Sequence, residues 1–203
     1  MYRTDIINYF IKKYHYQNYL EIGVETINNN FININCANKE CIDPAPADIT
    51  GITYLMTSDD AFTKIKAENK KYDIIFIDGL HLEHQVDKDI KNSLACLTSN
   101  GTIILHDCNP PTPIHGAKNY NLATKYTNYE WNGTVYKSII KFNKNNTCCC
   151  VLDTDWGCGI IRPSLQTIPI IMDYEPLFMD WDYFEDNRIT LLNLKPIAEL
   201  YNM

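Results

Sequence analysis

The chain has 203 residues, of which 45% are hydrophobic and 21% charged, and a net charge of −7. This is ordinary globular composition, which excludes a fibrous or disordered protein, and the length suits one domain spanning residues 1–203 better than two. The acidic balance argues against nucleic acid as a partner, because neutralising a phosphate backbone needs clustered Lys and Arg.

No stretch reaches the roughly 20 consecutive apolar residues that cross a bilayer, so no membrane partner is expected. The opening residues Met1-Tyr2-Arg3-Thr4-Asp5, followed by Asn8, Lys12 and Lys13, lack the apolar run of a secretory signal, and a cytoplasmic location is expected. The eight cysteines (Cys36, Cys41, Cys96, Cys108, Cys148, Cys149, Cys150 and Cys158) contain no C-x-x-C pair, which argues against zinc. Cys148, Cys149 and Cys150 would alternate faces of a strand as small, buried, reduced apolar residues.

Ile6, Ile7, Phe10 and Ile11 repeat at helical spacing behind Thr4, an N-cap residue type, and predict a helix over residues 4–14. Five short apolar or β-rich runs follow, at residues 19–22, 40–42, 52–56, 73–77 and 102–105. Residues 58–65 read as a helix capped by Ser58. Val86, Ile90, Ser93, Leu94 and Leu97 read as a second, closing at Asn100-Gly101. Strands alternating with helices predict a parallel sheet covered on both faces, whose ligands sit beyond the carboxyl ends of the strands.

Beyond Pro113 the pattern is less regular. Residues 135–142 read as helix or strand, residues 147–152 as a strand, and Trp156-Gly157-Cys158-Gly159 as a turn. The tail, with Phe184, Ile189, Leu191 and Leu192, reads as a helix limited by Pro196. No internal repeat or linker divides the chain.

The strand ends carry the chemistry. Glu21 and Gly23 end the first run, where glycine lets a ligand approach the backbone. Asp43 ends the second, placed to accept hydrogen bonds from ribose hydroxyls. Thr57-Ser58-Asp59-Asp60 either meets the nucleoside or caps the helix that it opens. The fourth run delivers Asp78 and, three residues on, His81; the fifth delivers His106 and Asp107. Were these two strands neighbours, Asp78 and Asp107 would repel unless a divalent cation or a shared proton relieved them. His81 beside them would be suited to removing a hydroxyl proton.

With these strand ends in order, the chain resembles the class I S-adenosylmethionine methyltransferases, especially small members associated with polysaccharide and nucleotide-sugar genes (methyltransferase family 24-like). Tyr19-Leu20-Glu21-Ile22-Gly23-Val24 is similar to the family's cofactor strand and turn, Cys41-Ile42-Asp43-Pro44 to its ribose strand, residues 73–81 to its fourth strand and residues 101–110 to its fifth. Residues 131–137 and 153–159 resemble further stretches of the same group.

The resemblance implies a Rossmann-like α/β parallel-sheet sandwich with an antiparallel C-terminal strand. It also implies a substrate-side part over residues 113–203. The cofactor would be S-adenosylmethionine, held by Glu21, Gly23, Asp43, Ser58, Asp59 and Asp78. Asp78, Asp107 and Asn109 would hold Mg2+ or another divalent cation, with Asn109 standing in for the oxygen ligand that Cys108 does not supply. His81 would be the base, with Asp78, Asp107 and His106 in the catalytic group. The acceptor would be a small molecule, a sugar or nucleotide sugar walled by Tyr129, Trp131, Tyr136 and Trp156 unless these are core; a homo-oligomer stays open.

Ile27 occupies a place where many such enzymes have glycine, and Asn28, Asn29 and Asn30 would lengthen that turn in left-handed geometry. Asn109-Pro110-Pro111-Thr112 is similar to the Asn-Pro-Pro-aromatic motif of amino methyltransferases, but it follows the fifth run rather than the fourth and lacks the aromatic. A Rossmann-type NAD oxidoreductase or epimerase would carry G-x-G-x-x-G after the first strand, where Gly23-Val24-Glu25-Thr26-Ile27 stands. A non-catalytic binding protein with the methyltransferase fold is the third class.

Overall fold

The computed structural model describes residues 1–172 and 175–203. Helix α1 (Arg3–Tyr14) leads into β1 (Asn18–Ile22) and β2 (Asn38–Ile42), then α2 (Ser58–Ala67), β3 (Tyr72–Ile77), α3 (Glu83–Cys96) and β4 (Leu97–Leu105). After α4 (Tyr120–Tyr126) come α5 (Val135–Asn145), β5 (Cys149–Leu152), β6 (Cys158–Ile161), α6 (Trp181–Leu192) and β7 (Leu194–Lys195). Among the described residues the strands form one sheet in the order β2-β1-β3-β4-β6-β5-β7. The first four run parallel, and β6 lies antiparallel to both β4 and β5.

Both faces of the sheet are covered, which is why its strands read as continuous apolar runs rather than alternating ones. Leu20, Ile22, Ile75, Ile77, Ile103 and Leu105 point into a core closed by α2, α3, α5 and α6. Tyr19, Ile74, Phe76 and Ile104 point the other way, onto Ile6, Ile7, Phe10 and Ile11 of α1. Cys149 joins the first core and Cys150 the second, as alternation requires, but Cys148 precedes β5 and shares the first core with Cys149; all eight cysteines are free. Tyr136 is core, packed on Phe184 with ring centroids 4.7 Å apart. No helix among the described residues is long and apolar enough to cross a membrane.

Several boundaries differ from the sequence reading, each for a local reason. Residues 52–56 form no strand: Tyr54 makes a single bridge to Ile42, and the Thr53 hydroxyl, 3.1 Å from the Cys41 amide, takes a bond that a ladder carbonyl would otherwise accept. The five expected strand ends are therefore four, with the Asp78 and Asp107 strands as β3 and β4. The cap of α1 is Tyr2, not Thr4, whose hydroxyl instead donates to Asn30 Oδ1 at 2.6 Å. Thr57, not Ser58, caps α2, its hydroxyl accepting from the Asp60 amide.

Helix α3 stops at Cys96 and the chain enters β4 at once, so Asn100-Gly101 lies within the strand. A Cβ at Gly101 would stand 2.6 Å from Leu97 Cγ and 2.9 Å from the Asp73 carbonyl oxygen, so this glycine answers a packing need rather than a helix stop. Residues 135–142 are helical, and the expected turn narrows to Asp155-Trp156-Gly157, all at positive φ, because Cys158 already pairs in β6.

The packing of α3 on α5 encloses a charge cluster. Lys141, 3% exposed, donates to Glu83 Oε1 at 2.8 Å and to Asp87 Oδ2. A buried ion group is destabilised most by removing one member, which strands the rest without a counter-charge. Lys141→Ala should therefore lower the unfolding free energy by about 3–5 kcal/mol in urea denaturation. A loss under about 1 kcal/mol would place the cluster among weak, solvent-screened pairs.

Candidate active site

The carboxyl ends of the parallel strands open into a cavity of about 830 Å3. It lies where the topology reverses: the chain leaves β1 for β2 on one side and returns to β3 on the other, the usual ligand position in an open α/β sheet. Ile22 and Ile77 are register partners, so Gly23 and Asp78 emerge side by side. Gly23 has φ +83°, and a Cβ on it would lie 2.2 Å from the Asp78 carbonyl oxygen. The glycine is thus demanded first by the neighbouring strand end, before any ligand.

The turn after β1 is organised by Asp43. Its Oδ2 accepts from the amides of Val24 and Glu25 at 3.0 and 2.8 Å, and its Oδ1 from the amide of Ala45 at 2.9 Å. Glu25, at φ +54°, supplies the left-handed residue that Asn28, Asn29 and Asn30 were expected to provide. Asn30 is instead buried at φ −131°, its amide donating to Glu21 Oε2 at 3.1 Å. The remainder of the turn is a single 3-10 turn, Phe31–Asn33.

At one end of the cavity, Ser58 and Asp59 at the start of α2 meet α3. Gln85 Nε2 lies 3.1 Å from Ser58 Oγ, 3.1 Å from Asp59 Oδ1 and 3.2 Å from Asp89 Oδ1. Burial raises the Asp89 carboxyl to about 6. Gln85 and Asp89 line the cavity yet were not singled out from the sequence; the available signal was an acid on the apolar face of α3, beside Ile90 and between Val86 and Ser93.

At the other end β3 and β4 bring Asp78, His81, His106 and Asp107 together. His81 Nε2 is 3.4 Å from Asp78 Oδ1, and its Nδ1 is 3.4 Å from Asp107 Oδ2 and 2.8 Å from the Trp131 carbonyl oxygen. His106 Nδ1 lies 3.4 Å from Asp78 Oδ1 and 3.2 Å from Asp107 Oδ2. Asp78, His81 and Asp107 each offer one ligand atom, all within 4.8 Å of one another, a donor set that a divalent cation could use. Burial would raise the Asp78 carboxyl, but the charges and hydrogen bonds of His106 and His81 outweigh it and hold it well below the usual carboxylate range. Burial would lower His81, but Asp78 and Asp107 outweigh it and raise the ring to about 9.

Segment 113–134 folds over this end. Trp131 stacks on His81 at 5.3 Å and Trp156 on His115 at 5.7 Å. Asn132 Nδ2 donates to Asp107 Oδ1 at 2.8 Å, and its buried Oδ1 has no partner among the described residues. Gly133, at φ +61°, is in contact with the His81 main chain, where a Cβ would lie 2.0 Å from the carbonyl oxygen. Tyr129, Trp131 and Trp156 wall the cavity, whereas Tyr136 does not.

Asn109 is not brought to this cluster. Its amide donates to Asp153 Oδ1 at 3.1 Å and its oxygen accepts from Arg188 at 2.6 Å, in a separate hollow. The left-handed turn at Asp107 (φ +61°) carries the chain away, so the residue two beyond the acid faces the far side of the strand end. Asn132 supplies an amide beside Asp107 from 25 residues further along the chain, a placement that sequence spacing does not display.

Glu21 sits beneath the turn after β1, where Tyr19 and Asn30 donate to its Oε2 at 2.5 and 3.1 Å. Burial raises its carboxyl from 4.5 to about 7, against those hydrogen bonds and aided by the charge of Asp78. The folded protein keeps this proton where the unfolded chain releases it, so its contribution to stability declines as pH rises from 4.5 to about 7. Glu21→Gln should remove that decline: relative to the unaltered protein, the variant gains on the order of 3 kcal/mol between the two ends of that range. Urea denaturation at both ends measures it, and a pH-independent difference would contradict the raised carboxyl.

Residues 20–108 match a family model described as a methyltransferase domain. Searching curated protein sequences gives no match. Among solved structures, a putative caffeoyl-CoA O-methyltransferase from Staphylococcus aureus aligns with a TM-score of 0.52 at 16% identity, covering 78% of this chain and 82% of that one. The O-methyltransferase from Bacillus cereus in complex with SAH aligns at 0.51 and 14% identity, covering 78% of each chain. The SAH-bound methyltransferase from Podospora anserina aligns at 0.53 and 13% identity, covering 79% and 77%. Sheet order, strand directions and these alignments agree: the chain has the Rossmann-like fold of class I methyltransferases.

Proposed function

We propose that the protein is an S-adenosylmethionine-dependent O-methyltransferase acting on a hydroxyl of a small molecule, with a sugar as the acceptor class. The observation that carries this reading is the Asp78, His81 and Asp107 cluster set in the wall of the cavity that begins at Gly23 and Asp43. A nucleoside lies between Asp43 and the Ser58-Asp59 end, and the reacting hydroxyl lies beside His81, under Trp131 and Trp156. Indole rings in the wall of a cavity suit the apolar face of a sugar ring. The substrate side is drawn from residues 113–203, through Tyr120, Tyr129, Trp131 and Trp156.

His81 has the geometry of a base. Donation of its Nδ1 hydrogen to the Trp131 carbonyl fixes the tautomer of the neutral ring, and Nε2 becomes the acceptor once the ring has lost the proton that Asp78 and Asp107 hold up to about pH 9. The hydroxyl proton passes to Nε2 while the oxygen attacks the methyl carbon of the sulfonium, so that the C–O bond forms as the S–C bond breaks. Trp131, stacked on the ring, and Asp78, at 3.4 Å, hold its orientation. Asn132 fixes Asp107 through one oxygen and leaves the other turned to the imidazoles. A divalent cation between Asp78 and Asp107 would acidify a bound hydroxyl and offset the negative charge that raises His81.

The NAD reading loses support from the turn after β1. A dinucleotide pyrophosphate wants a helix N-terminus there, and this chain has turns and the three-residue 3-10 turn instead. Calorimetric titration should show binding of S-adenosylhomocysteine and none of NAD; the reverse result would overturn the proposal. With a sugar acceptor found by screening free and nucleotide-linked sugars, His81→Gln should lower kcat by about 10²- to 10⁴-fold while cofactor affinity holds. Asp107→Ala should abolish binding of Mn2+ followed by calorimetry. Activity indifferent to both chelator and Asp107→Ala would remove the cation from the mechanism.

A further inference from the structure

The cavity is strongly acidic: eight carboxylate side chains line it, against one guanidinium, that of Arg3, and no lysine. An anionic group entering it meets one guanidinium, besides the imidazoles that His81 and His106 hold against Asp78 and Asp107. That guanidinium is held in place. The Arg3 amide donates to Asp155 Oδ2 at 2.7 Å, and the guanidinium Nη1 lies 3.5 Å from the same carboxylate and 3.0 Å from His106 Nε2. On the preceding side, the Thr154 hydroxyl donates to the Met1 carbonyl at 2.7 Å, which ties the start of α1 to the 153–157 turn.

The guanidinium is not used up by these contacts. Its Nε stands 3.9 Å from Asp78 Oδ2, too long for a hydrogen bond, and Nη2 has no hydrogen-bond partner among the described residues. The side chain is 29% exposed and faces the cavity. Around it stand Asp78 and, beneath the β1 turn, Glu21. The juxtaposition of one cation with carboxylates at the β1 and β3 ends matches a zwitterion, whose ammonium and carboxylate are carried on one carbon.

We infer that Arg3 is the anchor for the α-carboxylate of the cofactor's methionyl group, with Asp78 receiving the α-ammonium. Arg3 therefore determines affinity for the amino-acid half of the cofactor and leaves the nucleoside half to Asp43, Ser58 and Asp59. The same charge distribution favours an uncharged sugar over a nucleotide diphosphate as acceptor, because a pyrophosphate would compete for the one guanidinium among eight carboxylates. The assignment rests on the methyltransferase reading above.

Two probes separate the halves of the cofactor. S-adenosylhomocysteine carries the amino-acid group, and 5′-methylthioadenosine keeps the nucleoside and thioether without it. In calorimetric titrations, Arg3→Ala should weaken S-adenosylhomocysteine by about 10- to 100-fold and leave 5′-methylthioadenosine within about 2-fold, with Arg3→Lys falling between for the first probe. Equal weakening of both probes would assign Arg3 a structural role and overturn the inference, as would unchanged affinity for both. Binding of neither probe by the unaltered protein would overturn the methyltransferase reading and this assignment with it.

Discussion

Two carboxylates, Asp78 and Asp107, emerge at the ends of adjacent parallel strands and are largely withdrawn from water, and much of the surrounding structure answers that single electrostatic problem. Like charges this close in a poorly solvated site repel strongly unless counter-charge and hydrogen bonds are supplied. The fold supplies them from four places: His81 after β3, His106 at the end of β4, Arg3 from α1, and Asn132 from the segment before α5. Each comes from a different element. The arrangement is consequently only as good as the packing of those elements on the sheet.

That dependence explains the backbone geometry around the site. Asp107, Gly133, Asp155, Trp156 and Gly157 all have positive φ, and three of them are not glycine. Left-handed backbone costs an L-residue about 1–2 kcal/mol, and it persists only where neighbouring contacts dictate it. Here the contacts are close: Gly157 and Gly133 each lie against another main chain, at Asn109 and His81, with no space for a Cβ. These loops set Trp131 on His81 and Trp156 on His115 and close the polar cluster from one side.

The two ends of the cavity are built on different principles. The turn after β1 rests on backbone amides gathered by the Asp43 carboxylate, an arrangement set by β1 and β2. The end at His81 is roofed by residues 113–134, a long connection, and by the five-residue 153–157 turn between β5 and β6. In α/β folds generally, a common sheet framed by differing loops is how one fold takes different ligands.

Much of this was legible in the sequence because strand ends are local features. Residues 73–78 and 102–107 each read as an apolar run closed by an acid, and period and composition alone sufficed to place Asp43, Asp78, His81 and Asp107 beyond the sheet. What failed locally failed by competition: the Thr53 hydroxyl displaced a ladder bond, and Leu97 took up pairing with Tyr72 as soon as the helix ended. The choice of Asn109 failed because one left-handed residue reverses the side on which its neighbours fall. Arg3, Asn132, Gln85 and Asp89 were beyond reach, since their roles depend on which helix face meets which strand end. The sequence by itself determined the strand-end acids, the imidazoles and the parallel order that carries them, because these depend on periodicity within a few residues. Only the tertiary structure decided which partners neutralise them, because groups far apart in the chain, such as Arg3 and Asp78 or Asn132 and Asp107, are brought within a few ångströms by packing and by nothing that spacing along the chain records.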